Sequence, residues 1–519
     1  MKHLERLAEQ IAARKVEHVF GIPGSGSSLF LLDALEKLGV RFHLTHFEGS
    51  AAMMAGAIGK LSGKSGVALS IKGPGLTNML PGLAACSLEG FPVVSISEAY
   101  LPTTPAEVSH KRIDHKELLS EIAKFQFFLS PEGPDFKTLS ALAESEIPGV
   151  VHLNIAPSPF ETLFSGLPPR DEKADEAMGG KASRLFGDSK RPVVIAGTLA
   201  VRRGWHESLN ALSCPVFSTA AAKGVVNEKL PHAGGVFTGV GGPLSPEAKM
   251  LPEADLVVAI GLRHNEVLAV KPFPCPSICV DPLGKEKSFG FQFGTYIEGS
   301  TAQTEALFNR LVEKPWGLDS LQKTLGSLKA YMLKSFFLPA HVYFSVASHF
   351  KYEARLVLDT GNFCTIGEHA WPVCRPDLYL SSGQGRYMGI AIPLGIGAAI
   401  HDRKVPTVVF TGDGGIGMFV SEIKLAVQNR LPLLIVLLSD SSLGTIRSAS
   451  LKKGITQQPT MIDQPSWLRV MEGLGVPALK ITAIEHLEDA LNHWDKAGPL
   501  YLEIPFDADD YQRMTDGIR

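Results

Sequence analysis

The chain has 519 residues, with 50 Lys and Arg against 53 Asp and Glu for a formal net charge of −3. That length exceeds a single hydrophobic core and suggests three domains of roughly 150 residues each. A charge so near neutral gives no global pull toward nucleic acid or a membrane surface, so any partner has to be recognised locally.

The N-terminus, "MKHLERLAEQIAARKV", interleaves charged and apolar residues as an amphipathic helix does, and no uninterrupted apolar run of ~18 residues follows it. The six cysteines (Cys86, Cys214, Cys275, Cys279, Cys364, Cys374) lack metal-type spacing, which favours reduced thiols in a cytoplasmic enzyme over a disulfide framework. Residues 1–165 repeat one theme of apolar strand, Gly/Pro/Ser loop and periodic helix. "EHVFGIPGSGSS", "RFHLTHFEGS", "GVALSIKGPGLTN" and "FPVVSISEAY" are four such strand ends. Strands that alternate with helices predict a parallel sheet.

A polar, proline-bearing stretch at 165–184 reads as a linker. A second α/β set spans 181–325 with strands in "RPVVIAG", "CPVFSTAAAKGVV", "ADLVVAIG" and "PSICVD", and a third spans 335–519. The expected fold is α/β: three consecutive doubly wound parallel-sheet domains.

In the third set, "TGDGGIGMFVSEIKLAVQNRLPLLIVLLSDSS" carries two isolated acids, Asp413 and Asp440, each where an apolar run gives way to small polar residues. Between them Ile416, Phe419, Val420, Ile423 and Val427 share a helical face, so the unit reads as strand, loop, helix, strand. Parallel strands in a right-handed unit end at the same sheet edge, where both acids can converge on one point. Gly414 and Gly415 add amide donors at a helix start, a setting that attracts phosphate. Carboxylates beside a phosphate need a cation between them, and magnesium suits that task. A tight turn plus a helix cap is the plainer reading of the same residues.

The pattern Gly-Asp-Gly, about 27 residues, then Asn or Asp resembles the diphosphate motif of thiamine-diphosphate-dependent enzymes. The resemblance implies magnesium held by Asp413, Asp440 and the Ser442 carbonyl. "LLSDSS", with Asp where most members have Asn, is similar to the catabolic acetolactate synthases. "THFEGSAAMMAGAIGKLSGKSGVALSIKGPGLTN" resembles the stretch whose acid serves the aminopyrimidine ring, which implies Glu48 in that catalytic role, closing an apolar strand. Phe47 stands where the family usually has His. "GQGRYMGIAIPLGIGAA" puts Met388 where a large apolar residue props the bent cofactor. Gly73 and Asn78 shape the loop near Glu48, and Asn362, Cys364, Gly414, Gly415, Ser442 and Gly444 complete the implied cofactor contacts.

The resemblance covers nearly the whole chain in the order pyrimidine-binding, central and diphosphate-binding domain. It implies a homo-oligomer, dimer or tetramer, with sites shared between subunits. It also implies a carboligase that attacks a small 2-oxo acid such as pyruvate, releases CO2 and transfers the acyl unit to a second carbonyl.

Around the substrate the chain departs from the acetolactate synthase pattern. Lys111 replaces Gln, Lys72 replaces Ser and Gly26 replaces Lys; two added ammonium groups would suit an anionic substituent, or else point to solvent. His110 matches the family's His. His115 occupies a position often polar in related enzymes, and is read either as a proton carrier or as a structural histidine. No flavin signature surrounds "GVFTGVGG" or "GLRHNE", so FAD is not expected. Three other readings stay open: a simple 2-oxo acid decarboxylase, a catalytically silent regulatory homologue, and a nicotinamide-dependent dehydrogenase, which lacks a convincing GxGxxG.

Overall fold

A computed structural model describes residues 2–131, 133–159, 180–269, 271–282, 293–297, 301–334 and 337–518. The described strands form three six-stranded sheets, and every registered strand pair is parallel. The first holds β1 (His18–Gly21), β2 (Arg41–Leu44), β3 (Gly66–Ser70), β4 (Val93–Glu98), β5 (Ala123–Phe128) and β6 (Val150–Ile155), ordered β2-β1-β3-β4-β6-β5. The second holds β7 (Pro192–Ala196), β8 (Val216–Thr219), β9 (Ala233–Phe237), β10 (Leu256–Ile260), β11 (Ser277–Val280) and β12 (Thr295–Ile297), ordered β12-β11-β10-β7-β8-β9. The third holds β13 (Arg355–Leu358), β14 (Tyr379–Ser381), β15 (Thr407–Gly412), β16 (Leu433–Ser439), β17 (Ala478–Lys480) and β18 (Leu500–Pro505), ordered β14-β13-β15-β16-β18-β17.

Counted from its own first strand, the third sheet repeats the order of the first. Both reverse direction between their first and third strands, β1/β3 and β13/β15, and such a switch point opens the crevice where α/β sheets bind ligands. The middle sheet reverses between β7 and β10 instead, which is the dinucleotide-binding order. Central strands such as "GVALS" and "LLIVLLS" are apolar nearly throughout and buried, because helices cover both faces of a parallel sheet.

Four sequence expectations change. β5 and β6 extend the first sheet beyond the four strands read from the sequence; every residue of β5 is half-buried, and β6 hides His152 and Asn154 inside an otherwise apolar run. Of the expected linker, 165–179 lies outside the described residues, and 180–184 belongs to the helix Gly180–Asp188. The helix expected between β15 and β16 is broken into Asp413–Ile416, a short 3-10 turn Val420–Glu422 and Ile423–Gln428. Ile416, Phe419 and Ile423 still reach the core, but glycines 414, 415 and 417 weaken helix continuity there. Glu48 opens the helix Glu48–Ser62, because β2 already ends at Leu44.

That helix packs against Ala391–His401 of the third domain, and one hydrophobic core runs through both. Two glutamates tie the same domains reciprocally. Glu422 of the third domain accepts the His46 and Phe47 amides at 3.1 and 3.0 Å. Glu89 of the first accepts the Gly383 and Gly385 amides at 3.0 and 2.8 Å and the Ser382 hydroxyl at 2.9 Å. Each acid thus fixes the loop that follows the second strand of the other domain.

Candidate active site

At the β13/β15 switch point Asp413 begins a single helical turn just past β15. One carboxylate oxygen accepts the Ser439 hydroxyl at 2.7 Å, and the other accepts the Asp440 and Ser441 amides, both at 2.8 Å. Asp440 in turn accepts the Ser442 amide and hydroxyl at 3.1 and 3.0 Å. Two acids 27 positions apart in sequence are therefore joined through one backbone amide. Burial pushes Asp413 up to about 6, and the nearby Asp440 charge adds to that rise. A divalent cation between the two would relieve it.

Glycine makes room above this pair. A Cβ on Gly414 would lie 2.8 Å from Leu443 and 3.3 Å from the Met388 sulfur, so Met388 leans over the turn. Asn362, which opens Asn362–Ala370, accepts the Thr445 hydroxyl at 2.7 Å, beside Gly444 at the start of Gly444–Lys452. Cys364 faces its own helix, with its thiol 3.5 Å from Glu368. One participant escaped the sequence reading: Asp359, buried just past β13, accepts the Gly389 and Thr360 amides and the Thr411 hydroxyl, each at 2.8 Å. Burial pushes it up to about 7. Its signal was in view, since Asp359 stands three residues before Asn362 in "DTGNFC".

Among the described residues no group of three or more His, Cys, Asp and Glu is arranged to hold a metal. Two carboxylates joined through one amide, beside a turn with Gly414 and Gly415, fit a magnesium ion that takes its other ligands from phosphate and water.

The second set stands on the first sheet. Glu48 is buried and accepts the Asn78 amide at 3.2 Å, while a Cβ on Gly75 would lie 3.3 Å from its carboxylate. Phe47 puts its ring 6.2 Å from Phe419 of the third domain. Gly73 adopts φ +62°, and any side chain there would overlap the Lys111 carbonyl oxygen.

Beside this turn a cavity of about 840 Å³ opens, lined by Lys72, Lys111, Arg112, His115, Lys116 and Asn154, among others. Lys72 sits 3.3 Å from Glu98 and 5.1 Å above the Tyr100 ring. A Cβ on Gly26 would come within 3.3 Å of that same Glu98 carboxylate. Lys111 is exposed and adopts φ +64°, a backbone region that non-glycine residues enter only under constraint. His110 is exposed and meets the Tyr100 hydroxyl at 3.2 Å. His115 is buried, with Asn154 at 2.6 Å and the Gly73 amide at 3.3 Å. The acid on this wall, Asp114, accepts the Lys116 and Glu117 amides as a helix cap. Cations dominate the lining.

Two sheet edges thus carry the two halves of a site, one acidic with a glycine cradle and one with the buried Glu48 beside a cation-lined cavity. The chain matches the models of the thiamine pyrophosphate enzyme N-terminal TPP binding domain over residues 1–118, the central domain over 180–286 and the C-terminal TPP binding domain over 359–504. It is 24% identical to the catabolic acetolactate synthase of Raoultella terrigena, across 97% of this chain and 95% of that protein. It is 25% identical to the acetolactate synthase of Bacillus subtilis (98% and 93% covered) and 27% to the probable 2-ketoarginine decarboxylase of Pseudomonas aeruginosa (96% and 93% covered). The chain belongs to the thiamine-diphosphate-dependent enzymes, among their acetolactate synthase-like members, and is an enzyme of the carboligase or decarboxylase kind.

Proposed function

We propose that the chain is a magnesium- and thiamine-diphosphate-dependent carboligase that decarboxylates a small 2-oxo acid and transfers the acyl unit to a second carbonyl. The observation that carries this reading is the junction of Asp413 with Asp440 and Ser442 at a switch point, beside Gly414 and under Met388. In this reading Asp413, Asp440 and the Ser442 carbonyl hold the metal. Gly414, Gly415, Gly444 and Asn362 receive the diphosphate, and Cys364 lies two residues along the helix that Asn362 opens. Bound thiamine diphosphate would supply an electron sink for the pair left behind when CO2 departs. Glu48 holds or releases the proton at the aminopyrimidine, and its burial excludes competing water. Two copies would pair so that one contributes Glu48 and the other Asp413.

The cationic wall of Lys72 and Lys111, with His110 at its rim, supports a substrate bearing a second anionic group such as a carboxylate, sulfonate or phosphonate. It would repel a guanidinium side chain, which argues against the substrate named for the Pseudomonas aeruginosa relative. The proposal includes no FAD. Glu247 accepts the Thr238 and Gly239 amides at 2.8 and 3.1 Å, and Glu266 accepts the Thr198 and Arg263 amides at 2.6 and 3.1 Å. These donors lie past β9, β7 and β10, where a dinucleotide would place its phosphates.

The test is to supply the purified protein with thiamine diphosphate, magnesium and pyruvate or an anion-substituted 2-oxo acid, with a panel of carbonyl acceptors. Ligated product supports the carboligase. A free aldehyde alone assigns a decarboxylase, and cofactor uptake without turnover of any acid assigns a silent homologue.

A further inference from the structure

Residues 111–115 grip the turn ahead of the Pro74–Glu89 helix from two sides. The Lys111 carbonyl fills the space where Gly73 would carry a side chain, and the Gly73 amide donates to His115 Nε2 at 3.3 Å. A backbone N–H is always a donor, so Nε2 is the bare nitrogen and Nδ1 carries the ring proton. Nδ1 lies 2.6 Å from the Asn154 side-chain oxygen, which must therefore accept. The same oxygen lies 3.1 Å from His152 Nε2, so His152 donates there too. That leaves His152 Nδ1, 2.8 Å from the Ser95 hydroxyl, to accept the serine proton. Every contact in the run from Gly73 through His115, Asn154 and His152 to Ser95 has one donor and one acceptor, and its direction is set by a peptide amide.

The far side of the gripped turn is the Glu48 site. Gly73 caps the Pro74–Glu89 helix, whose first turns bring Gly75 against the Glu48 carboxylate and Asn78 into hydrogen bond with it. We propose that His115 is a positioning residue: a neutral acceptor that holds the Gly73 amide, and through it the helix start that presents Asn78 to Glu48, with Asn154 and His152 fixing its tautomer. The catalytic consequence rests on the role given to Glu48 above; the tautomer does not.

Adding a proton at Nε2 would set two donors face to face at Gly73. The surroundings resist it. His115 and His152 are 7% and 0% exposed, burial lowers the first and takes the second to about 3, and their ring centroids lie 5.8 Å apart. Lys72, Lys111, Arg112 and Lys116 share the cavity wall and oppose a further positive charge. Asp114 favours one, but its carboxylate is engaged by two helix amides.

The test is nitrogen-15 NMR of histidine-labelled full-length chain, with and without thiamine diphosphate and magnesium, from about pH 5.5 to about pH 8.5, the span in which an ordinary imidazole titrates. His115 is assigned by the resonance lost in His115→Gln. A neutral, Nδ1-protonated ring throughout is the expected result; a midpoint inside that span, or the Nε2-protonated tautomer, overturns the proposal. Asn154→Asp gives a second assignment. A carboxylate at that point should bring the His115 titration into the span, and an unchanged ring would count against the network.

Kinetics supply the other arm. Gln at 115 can still accept from Gly73, so His115→Gln should lose at most about fivefold in kcat/KM with its pH profile unmoved, whereas His115→Ala should lose about 10- to 100-fold. Equal losses in both variants, with one limb of the pH profile gone, would make His115 a proton carrier and sink the proposal. Because the NMR arm reads the ring without cofactor, its failure is separable from that of the functional reading, which would appear as no saturable uptake of thiamine diphosphate and magnesium.

Discussion

The first and third sheets share one strand order, yet the edges at their switch points carry opposite charge. Past β3 the first sheet presents Lys72, and its cavity adds Lys111, Arg112 and Lys116. Past β13, β15 and β16 the third presents Asp359, Asp413 and Asp440. Strand order dictates where a parallel sheet opens, since strand ends splay apart only at the reversal. What the opening binds is left to two or three residues after each strand. The same backbone therefore carries a pair of joined carboxylates with a glycine turn on one edge and, on the other, a buried acid beside a cationic pocket. The reciprocal acids Glu89 and Glu422 then lock one edge of each sheet to the other.

The largest effect should come from the buried acid held by Asn78 on the cationic side. Glu48→Gln keeps shape and removes the exchangeable charge, so turnover should fall by about a thousandfold while calorimetry still records cofactor uptake. Loss of uptake as well would mean that Glu48 acts in binding, and the division of labour between the edges would fail. Asp413→Asn attacks the other edge. It should cut magnesium-dependent retention of thiamine diphosphate by about 10- to 100-fold, measured by titration at fixed metal, and excess magnesium should restore part of the loss.

Lys111→Gln should weaken kcat/KM for a substrate with a second anionic group by about tenfold and leave pyruvate nearly unchanged, a difference worth about 1.4 kcal/mol. An equal loss for both would make Lys111 structural. The clamps come next. Glu422→Ala removes the shared acceptor of two partly buried amides at a cost of about 1–3 kcal/mol, seen as a lower unfolding midpoint, and Glu89→Ala should match it if the clamps are equivalent.

The smallest effect is the pH slope set by Asp359. Its folded-state pKa, about 7, lies above the unfolded value of 3.8. Its contribution to stability is therefore full below the unfolded value and is lost as pH rises through about 7. The melting temperature of the wild type without cofactor should fall more steeply between about pH 5 and about pH 8 than that of Asp359→Asn. Parallel curves would mean that Asp359 is already ionised in the folded protein.

The acidic edge was legible because its parts are local and periodic. An apolar run, a glycine-flanked acid and a second acid one strand later force both to a common edge once the strands are parallel. The cationic edge was harder to read. Lys72, Lys111 and His115 could be named, but nothing in their spacing says that Lys72 faces Glu98, that Lys111 is seated on Gly73, or that both ring nitrogens of His115 are engaged. β5 and β6 escaped because one is half-buried along its length and the other carries polar residues, His152 and Asn154, whose partners include Ser95 and His115 from far away in the chain.

The sequence by itself determined the three parallel α/β units, the strand ends where acids and glycines cluster, and the chemistry those residue types can perform. Only the tertiary structure decided that the outer sheets share a strand order, that Asp359 underlies the turn that Asp413 begins, and that His115 is tied into a one-way run of hydrogen bonds. The physical reason is range. Periodicity and loop chemistry act over a few residues and print themselves in the chain, whereas the partner of a buried polar group is whichever donor or acceptor the packed fold delivers from far away.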